Sequence, residues 1–368
     1  MVLMAIDHAS FFIARTHGQE DWARVPPFYH EHMGSSVGLA FITRWITHLC
    51  APGFFMLMGA GMVWLGKARQ RQGWSHAQIR KFFITRGLIL IVAQHFVENP
   101  AWLLSVLSAG PMSAGLPISP GGGSEMMLHF GVISTLGAGM IIWAFLIEMP
   151  SVVILAVSAV ALAAGVLMTP SFNELATLFP IWKLLLFVPS HTNLVDVLYP
   201  IVPWLPPAGL GIVLARIVAK KPEKTMMLSA AAGMGLLAVF VVMRMLSVGD
   251  PHPPLAGMIG FMSVTKYAPS PAYLSATLGV DLLLIAALTL TASMRWLAPL
   301  EVFGRSPLFF YFLHLYVFGI ASFAFPNGAS FPVMYLVWAV AIVGMYPACQ
   351  WYARFKAAKP LESNWKLL

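Results

Sequence analysis

The segment from Val37 to Leu65, VGLAFITRWITHLCAPGFFMLMGAGMVWL, decides the fold class of this chain. It is apolar over more than the roughly 20 residues that an α-helix needs to cross a bilayer. Two ionisable residues, Arg44 and His48, lie inside it. Such groups cost about 2.5–3.5 kcal/mol each at the centre of a membrane helix, so they usually mark a function. The segment predicts a membrane helix that carries polar chemistry.

The composition extends this prediction to the whole chain. Of the 368 residues, 59% are hydrophobic and 10% are charged, whereas soluble domains carry about 25% charged residues. The apolar runs are Met1–Ala14, Val37–Leu65, Phe82–Leu107, Met126–Ile147, Val152–Met168, Leu198–Val218, Thr225–Leu246, Ala272–Met294, Leu300–Phe325 and Pro332–Tyr352. We predict an all-α, polytopic membrane helix bundle of about ten transmembrane helices, forming a single integral membrane domain over residues 1–368.

The positions of lysine and arginine predict the orientation of the bundle. Basic residues follow alternate runs and fill the tail, at Lys67, Arg69, Arg71, Arg80, Lys81, Arg216, Lys220, Lys221, Lys224, Arg295, Arg354, Lys356, Lys359 and Lys366. The opposite loop at 98–125 contains none. Both termini are therefore predicted to be cytoplasmic. The net charge of +8 is interpreted as this topology signal, and no nucleic-acid partner is expected.

Four ionisable residues of the first two helices form the candidate catalytic group. Asp7 and His8 lie in the first run, and Arg44 and His48 lie four residues apart, on one face of the second helix. The predicted topology places both pairs in the outer half of the membrane. A carboxylate can orient an imidazole and keep it neutral as a base or nucleophile. The competing interpretation is a buried ion pair that only fixes helix packing.

Other polar residues are candidates for binding. His129 is predicted to start a helix at its outer end, and Lys266 and Tyr267 precede the eighth helix. Arg305 and Ser306 are predicted to open the ninth helix on the cytoplasmic side, with His314 about two turns deeper; a helix N-terminus of this kind suits a phosphate group. The structural alternatives are an interfacial histidine, a snorkelling lysine and a topology-setting arginine.

A metal site is not expected. The histidines show no zinc-ligand spacing, and His30 and His32 are the closest pair. The loops Gly110–Gly123 and Asp250–Pro254, rich in glycine and proline, are interpreted either as the rim of an outward-facing cleft or as slack connectors.

Five motifs resemble one known family. They are VLMAIDH (2–8), FITRWITHLCAPGFFMLMG (41–59), LYPIVPW (198–204), VTKYAPSPAYLSATLG (264–279) and PLEVFGRSPLFFYFLHLY (299–316). In this order they look like the signatures of the bacterial membrane proteins grouped with heparan-alpha-glucosaminide N-acetyltransferase. The resemblance covers nearly the whole chain. The blocks around His48 and Lys266 are specific to the bacterial branch and say little about the substrate.

The resemblance implies a multi-helix acetyltransferase of the bacterial plasma membrane. Members take acetyl from cytoplasmic acetyl-CoA and deliver it to an amino sugar or glycan on the far side, using a membrane histidine. His48 is the first choice for that histidine and His8 the second, while Asp7 matches the polar residue of the first helix. An Arg-containing segment with a Leu-Arg-Gly motif usually precedes VLMAIDH in this family. Its absence before Met1 leaves three interpretations: a misplaced start codon, a first helix truncated at its N-terminus, or a protein that works without that arginine.

The mechanism expected from the residues and the resemblance assigns each candidate a role. Asp7 orients the imidazole, Arg44 or Lys266 stabilises the oxyanion, Tyr267 and His129 line the acceptor side, and Arg305 contacts the phosphates of CoA, with Ser306 and His314 on the cofactor side.

Two other functions remain open at this point. An O-acyltransferase of envelope polysaccharide has similar helices and histidines but different motifs. A proton-coupled transporter also uses intramembrane Asp, His and Arg residues, although no inverted repeat is present in the sequence. A homodimer is compatible with the sequence, and nothing in the sequence requires one.

Overall fold

The computed structural model describes residues 1–16, 20–23, 37–109, 128–171, 174, 177–192, 194–291, 294–360 and 363–367. The chain divides into two compact units: unit 1 comprises Met1–His17, Val92–His129 and Ser293–Leu368, and unit 2 comprises Gly18–Ile91 and Phe130–Ala292. The expected single membrane domain stays a prediction. His30, His32 and the loop Gly110–Gly123 lie outside the described residues.

Helices make up nearly all of the described secondary structure. The α-helices are α1 (Val2–Ala9), α2 (Val37–Thr47), α3 (Cys50–Arg71), α4 (His76–Ala93), α5 (Asn99–Ala109), α6 (Val132–Leu146), α7 (Ser151–Met168), α8 (Ile181–Leu186), α9 (Leu205–Lys220), α10 (Thr225–Met245), α11 (Gly257–Met262), α12 (Pro271–Thr291), α13 (Ala298–Arg305), α14 (Pro307–Ala321) and α15 (Phe331–Ala357). The strands are β1 (Leu128–Phe130), β2 (Ser190–His191) and β3 (Val195–Val197).

The apolar helices confirm the predicted polytopic membrane bundle. In the described part of the chain, eight helical spans are long and apolar enough to cross a bilayer, and two shorter apolar helices cover Val2–Ala14 and Val132–Leu146. Together they correspond to the ten apolar runs of the sequence. The cytoplasmic location of both termini stays a prediction from the charge bias.

The helix start predicted at Arg305 and Ser306 is confirmed, and the start predicted at His129 is wrong. The run Leu300–Phe325 contains two helices, because α13 ends at Arg305 and α14 begins at Pro307. Ser306 between them leaves the helical region, as a residue before proline tends to do. Ser306 is therefore the N-cap of α14, and Arg305 directly precedes it. His129 lies in β1, and extended Gly131 separates that strand from α6.

A proline interrupts the span from Gly38 to Arg71 at His48. Proline has no backbone N–H, so Pro52 cannot donate to the carbonyl of His48 four residues earlier. The chain leaves α2 at Thr47 and starts α3 at Cys50. The Tyr273 hydroxyl of α12 donates to the freed His48 carbonyl at 2.9 Å. The break therefore places His48 at a fixed bend within the span.

Unit 1 combines the first helix with helices from the end of the chain. The Trp338 indole N–H of α15 donates to the Val2 carbonyl of α1 at 3.2 Å. After a π-helical turn over Ser10–Ala14, the Arg15 guanidinium donates to the carbonyls of Ser105 and Phe325, each at 3.2 Å. These bonds join α1 to its neighbours at both ends.

Close helix packing in unit 2 depends on glycine. Small residues at membrane helix interfaces let two backbones approach closely. A Cβ at Gly59 of α3 would overlap the Ala208 carbonyl of α9, and one at Gly211 of α9 would overlap the Met56 carbonyl of α3. Because both obstacles are backbone atoms, they cannot rotate away. The two helices can hold this spacing only with glycine at these positions.

The variant Gly59→Ala should therefore destabilise the protein. Forced overpacking costs about 1–3 kcal/mol, so we expect a lower thermal unfolding temperature in detergent. Gly61→Ala is the matched control, because the same helix has open space around Gly61. Equal melting temperatures for the two variants would contradict the packing described for α3 and α9.

Candidate functional site

A buried ionic centre in unit 2 joins Glu20, Arg44 and His48. The Arg44 Nε donates to both carboxylate oxygens of Glu20, at 3.0 and 3.1 Å, and its Nη2 donates to Oε2 at 2.7 Å. The His48 Nε2 lies 3.2 Å from the same Oε2. Glu20 and Arg44 are 7% and 4% exposed, respectively. A guanidinium and an imidazole thus share one carboxylate away from water.

The segment containing Glu20 is placed by backbone hydrogen bonds from a distant loop. The carbonyl of Glu20 accepts from the amides of Lys266 and Tyr267 at 3.0 and 2.9 Å. The Trp22 amide then donates to the Tyr267 carbonyl at 3.1 Å. Lys266 and Tyr267 therefore hold the carboxylate of Glu20 beside the bend at His48.

A small apolar cluster anchors the same segment on its other side. Its buried members are Trp22, Phe179, Leu184, Val188, Val195 and Val197. The Trp22 indole N–H donates to the Pro189 carbonyl at 3.1 Å. β2 and β3 lie beside it as an antiparallel pair, with His191 opposite Asp196. The side chain of Trp22 thus fixes the segment, and its backbone carries Glu20.

Asp250 holds the loop that carries Lys266. Its carboxylate accepts from the Thr265 amide and hydroxyl, each at 2.9 Å, and from the Ser270 hydroxyl at 2.6 Å. The Arg244 guanidinium donates to three carbonyls nearby, including that of His252. The loop around Asp250 is therefore held by side-chain hydrogen bonds, which do not fit its interpretation as a slack connector.

The hydrogen bonds of His48 define its tautomer. A carboxylate only accepts, so the bond to Glu20 places the ring proton on Nε2. The Nδ1 atom of the neutral ring then carries the lone pair, and it has no hydrogen-bond partner among the described residues. The Lys266 ammonium lies within electrostatic range of the ring. His48 thus has the arrangement of an oriented base or nucleophile.

Electrostatics keep Glu20 ionised. Burial alone raises the pKa of its carboxyl, but the Arg44 guanidinium and His48 outweigh burial and hold the pKa well below its ordinary value. Glu20 is therefore a carboxylate at neutral pH. It can keep the imidazole of His48 in one orientation.

Unit 1 contains the other predicted catalytic pair, Asp7 and His8. Asp7 is buried on α1, and its carbonyl accepts from the Ser10 hydroxyl at 2.7 Å. The His8 Nδ1 is hydrogen bonded to the Nε2 of His314 at 2.6 Å. The role predicted for His314 on the cofactor side stays a prediction. The convergence of Asp7 and His8 with Arg44 and His48 stays a prediction, because the pairs belong to different units.

The remaining predicted residues of unit 1 occupy different surroundings. Arg305 is exposed and pairs with Glu301 one helical turn earlier, at 2.8 Å. Ser306 is buried, and its hydroxyl donates to the Val302 carbonyl at 3.1 Å. His129 is buried, and its carbonyl accepts from the Asn99 amide group at 3.4 Å. Arg305 is the exposed member of this group.

The metal-ligating side chains in the described part of the chain are dispersed. Within the ranges that the structure describes, no three His, Cys, Asp or Glu side chains gather as a metal site would require. His30 and His32 belong to the part left undescribed.

Sequence reasoning missed three residues of these centres. Glu20 lies in a loop between α1 and α2, and no local pattern in the sequence shows that this segment packs against Arg44 and His48. Tyr273 lies inside the quoted Lys266 motif, but its contact with His48 depends on the helix break. Glu98 had a visible signal, because it is a carboxylate within the apolar run Phe82–Leu107. It is 2% exposed.

The fold and this centre define a class: a multi-pass integral membrane protein with a buried carboxylate–imidazole pair. The sequence model of the family described as heparan-alpha-glucosaminide N-acetyltransferase, catalytic, matches residues 29–247. The match covers more than half of the chain, so the protein belongs to this family of transmembrane acetyltransferases. Arg44 and His48 lie inside the matched range. Comparison with curated protein sequences gives no significant match.

The ionised state of Glu20 predicts a pH-dependent stability. A carboxyl whose pKa is lower in the folded protein stabilises the fold above its unfolded pKa of about 4.3, and this contribution is lost as the pH falls through the folded value. Removing one partner of a buried ion pair costs about 3–5 kcal/mol. We therefore expect Glu20→Gln to lower the unfolding temperature most at neutral pH and progressively less in acid.

Thermal unfolding of the wild-type protein and of Glu20→Gln, from neutral to acidic pH, measures the effect. Glu223→Gln is the control, because Glu223 is exposed in a short turn between α9 and α10. A Glu20→Gln deficit that is the same at every pH would show that Glu20 is not an ionised partner of Arg44.

Proposed function

We propose that this protein moves an acetyl group from cytoplasmic acetyl-CoA to an extracytoplasmic acceptor, an amino sugar or glycan, across the bacterial plasma membrane. His48 is the reacting imidazole. Family membership supports the acetyltransferase chemistry. The observation that carries the choice of His48 is its bond to Glu20, which leaves the lone pair on a buried Nδ1.

The chemistry at His48 has two steps. In the first, the Nδ1 lone pair attacks the thioester carbonyl, an N–C bond forms, the C–S bond breaks and the thiolate of CoA leaves. In the second, the acceptor amine attacks the acetyl carbonyl, the Nδ1–C bond breaks, and the freed Nδ1 takes the proton that the amine loses and passes it to the thiolate of CoA or to water. The alternative is that Nδ1 takes the amine proton while the amine attacks the thioester directly. Glu20 orients the ring in both versions.

The cations around His48 suit the charge that develops on the carbonyl oxygen. Arg44 is committed to the carboxylate of Glu20 through three hydrogen bonds. Lys266 is 3% exposed, and its ammonium lies 5.1 Å from the centre of the Tyr267 ring, without a carboxylate partner in the described parts of unit 2. A buried ammonium stabilises an oxyanion more strongly than it would in water. We assign this role to Lys266 and the positioning of Glu20 to Arg44.

The proposal also assigns residues to the binding of CoA and of the acceptor. Arg305 is exposed and suits a phosphate of CoA, as an arginine fork pairs well with phosphate oxygens, with Ser306 next to it in the chain. Tyr267 and His129 are assigned to the acceptor side, whereas the orienting role first predicted for Asp7 is assigned to Glu20.

Acetyl transfer should depend on His48. Purified protein in lipid nanodiscs is incubated with radiolabelled acetyl-CoA and then with glucosamine as the acceptor. Loss of an oriented base or nucleophile costs about 100-fold or more, so His48→Ala should abolish transfer within detection. His191→Ala is the control, because His191 is an exposed histidine on β2 in the same unit.

The location of the label separates the two versions of the mechanism. Label that stays on the quenched wild-type protein and is absent from His48→Ala indicates the acetyl-histidine route. Label found only on the acceptor indicates the general-base route. Wild-type rates in His48→Ala would refute the assignment of His48, and a protein that neither binds CoA nor transfers label would refute the proposed function.

Glu20→Gln should lower the rate without removing the imidazole. The amide can still contact His48, but it carries no charge to hold the ring proton on Nε2. We expect the rate of acetyl transfer to fall by about 10-fold or more, within the range that general acid–base catalysis contributes. Glu223→Gln should transfer acetyl at the wild-type rate, and equal rates for both variants would contradict the orienting role of Glu20.

A further inference from the structure

Unit 1 contains a second buried centre that the proposed mechanism does not use. His8 of α1 and His314 of α14 stack with their rings 4.9 Å apart and 8° from parallel. The His8 Nδ1 and the His314 Nε2 are 2.6 Å apart. His314 has no exposed surface. The two imidazoles form one hydrogen-bonded pair, which we call the imidazole pair.

The backbone assigns the protons of the imidazole pair. The Phe310 carbonyl lies 2.9 Å from the His314 Nδ1, and a carbonyl only accepts, so this nitrogen carries a proton. The Nε2 of a neutral His314 is then an acceptor, and the His8 Nδ1 must be the donor to it. In the neutral pair, the basic lone pair therefore lies on the Nε2 of His8.

The same geometry limits the pair to one proton. A proton added at Nε2 of His8 makes that ring an imidazolium whose Nδ1–H is donated to neutral His314. A second proton would have to enter at the His314 Nε2, which accepts this bond. It would also place two positive rings face to face at 4.9 Å, where like charges disfavour ionisation. The two rings therefore share one site.

A shell of aromatic and acidic groups surrounds the imidazole pair. The Trp102 ring meets His8 edge-on at 5.1 Å, and the Tyr311 ring lies 6.1 and 5.6 Å from His8 and His314. Both shell residues donate to the Glu98 Oε1, the indole N–H at 3.0 Å and the hydroxyl at 2.7 Å.

Two acidic residues and one histidine lie near the imidazole pair. The second oxygen of Glu98 has no hydrogen-bond partner among the described residues, and His129 lies within electrostatic range of Glu98. Asp7 is buried and precedes His8 in the chain. A negative charge on either carboxyl group would stabilise a proton on the pair, and a positive charge on His129 would oppose it.

The helices distort beside this centre. One π-helical turn, Ser10–Ala14, begins two residues after His8. A second, Gln94–Glu98, contains Glu98 as its last residue. Such turns are rare in α-helices and occur frequently at functional sites.

We propose that His8 and His314 form a one-proton acid–base site in unit 1, with Nε2 of His8 as the atom that gains and loses the proton. Histidines buried in membrane helices commonly serve proton transfer. Glu98 is a positioning residue here, because it holds Trp102 and Tyr311 against the pair.

Acetyl transfer would give this site a use, and this step rests on the proposed function. Transfer from a thioester to a protonated amine forms one amide and one thiol and releases one proton. Within a membrane, that proton must be held by a protein group before it reaches water. A single-proton site that is neutral when empty suits this task.

Titration of the wild-type protein tests the site directly. Histidine is isotopically labelled at its ring nitrogens, and the protein in lipid nanodiscs is followed by NMR as the pH is lowered. We expect two rings to change together in one step that adds one proton to the pair. Independent protonation of His8 and His314, or no protonation of either while the protein stays folded, would overturn the proposal.

A variant tests the coupling between the two rings. In His314→Gln, the amide oxygen can accept the Nδ1–H of His8, so His8 should titrate alone with a shifted midpoint. His95→Gln is the control, since His95 belongs to the same unit and should leave the shared step unchanged. An unaltered titration of His8 in His314→Gln would overturn the coupling, and the wild-type titration decides if the variant does not fold.

Neither measurement requires turnover. A protein that transfers no acetyl group can still show the shared proton, and a protein that transfers acetyl can lack it. Failure of the imidazole pair is therefore distinguishable from failure of the proposed function.

Discussion

The carboxylate of Glu20 is the group on which the site in unit 2 depends. It neutralises Arg44 and orients His48, and both of these residues lie within the apolar segment Val37–Leu65. An arginine within a membrane helix is costly unless it has a partner, and here the partner comes from a segment outside that helix. Without Glu20, the buried guanidinium would lose three hydrogen bonds to a carboxylate, and the His48 Nε2 would lose its carboxylate acceptor.

The backbone supplies the second requirement, a fixed position for His48. Pro52 removes the helical partner of the His48 carbonyl, and the hydroxyl of Tyr273 takes its place. The imidazole is then held from two directions, by a carboxylate at the ring and by a phenol at the main chain. This arrangement resembles the triads of other transferases and hydrolases in its logic, with a third group orienting the base.

Features that depend on residues close together in the chain could be predicted from the sequence, and features that depend on contacts between distant residues could not. Hydropathy and charge act locally, so the ten apolar runs and their alternating flanks predicted the membrane bundle confirmed here. Arg44 and His48 were found because they interrupt an apolar run. Glu20 was missed because its position depends on Lys266 and Tyr267, far along the chain, and on the packing of Trp22. The pairing of His8 with His314 was missed for the same reason.

The backbone bonds between Glu20 and the loop at Lys266 also determine when the site in unit 2 can be completed during synthesis. Synthesis proceeds from the N-terminus, so Arg44 and His48 enter the membrane long before Lys266 and Tyr267 leave the ribosome. Until that loop docks, the chain carries a guanidinium in the bilayer whose carboxylate has no template to hold it. During biogenesis, the charge of Arg44 is therefore incompletely neutralised until the last third of the protein has been synthesised.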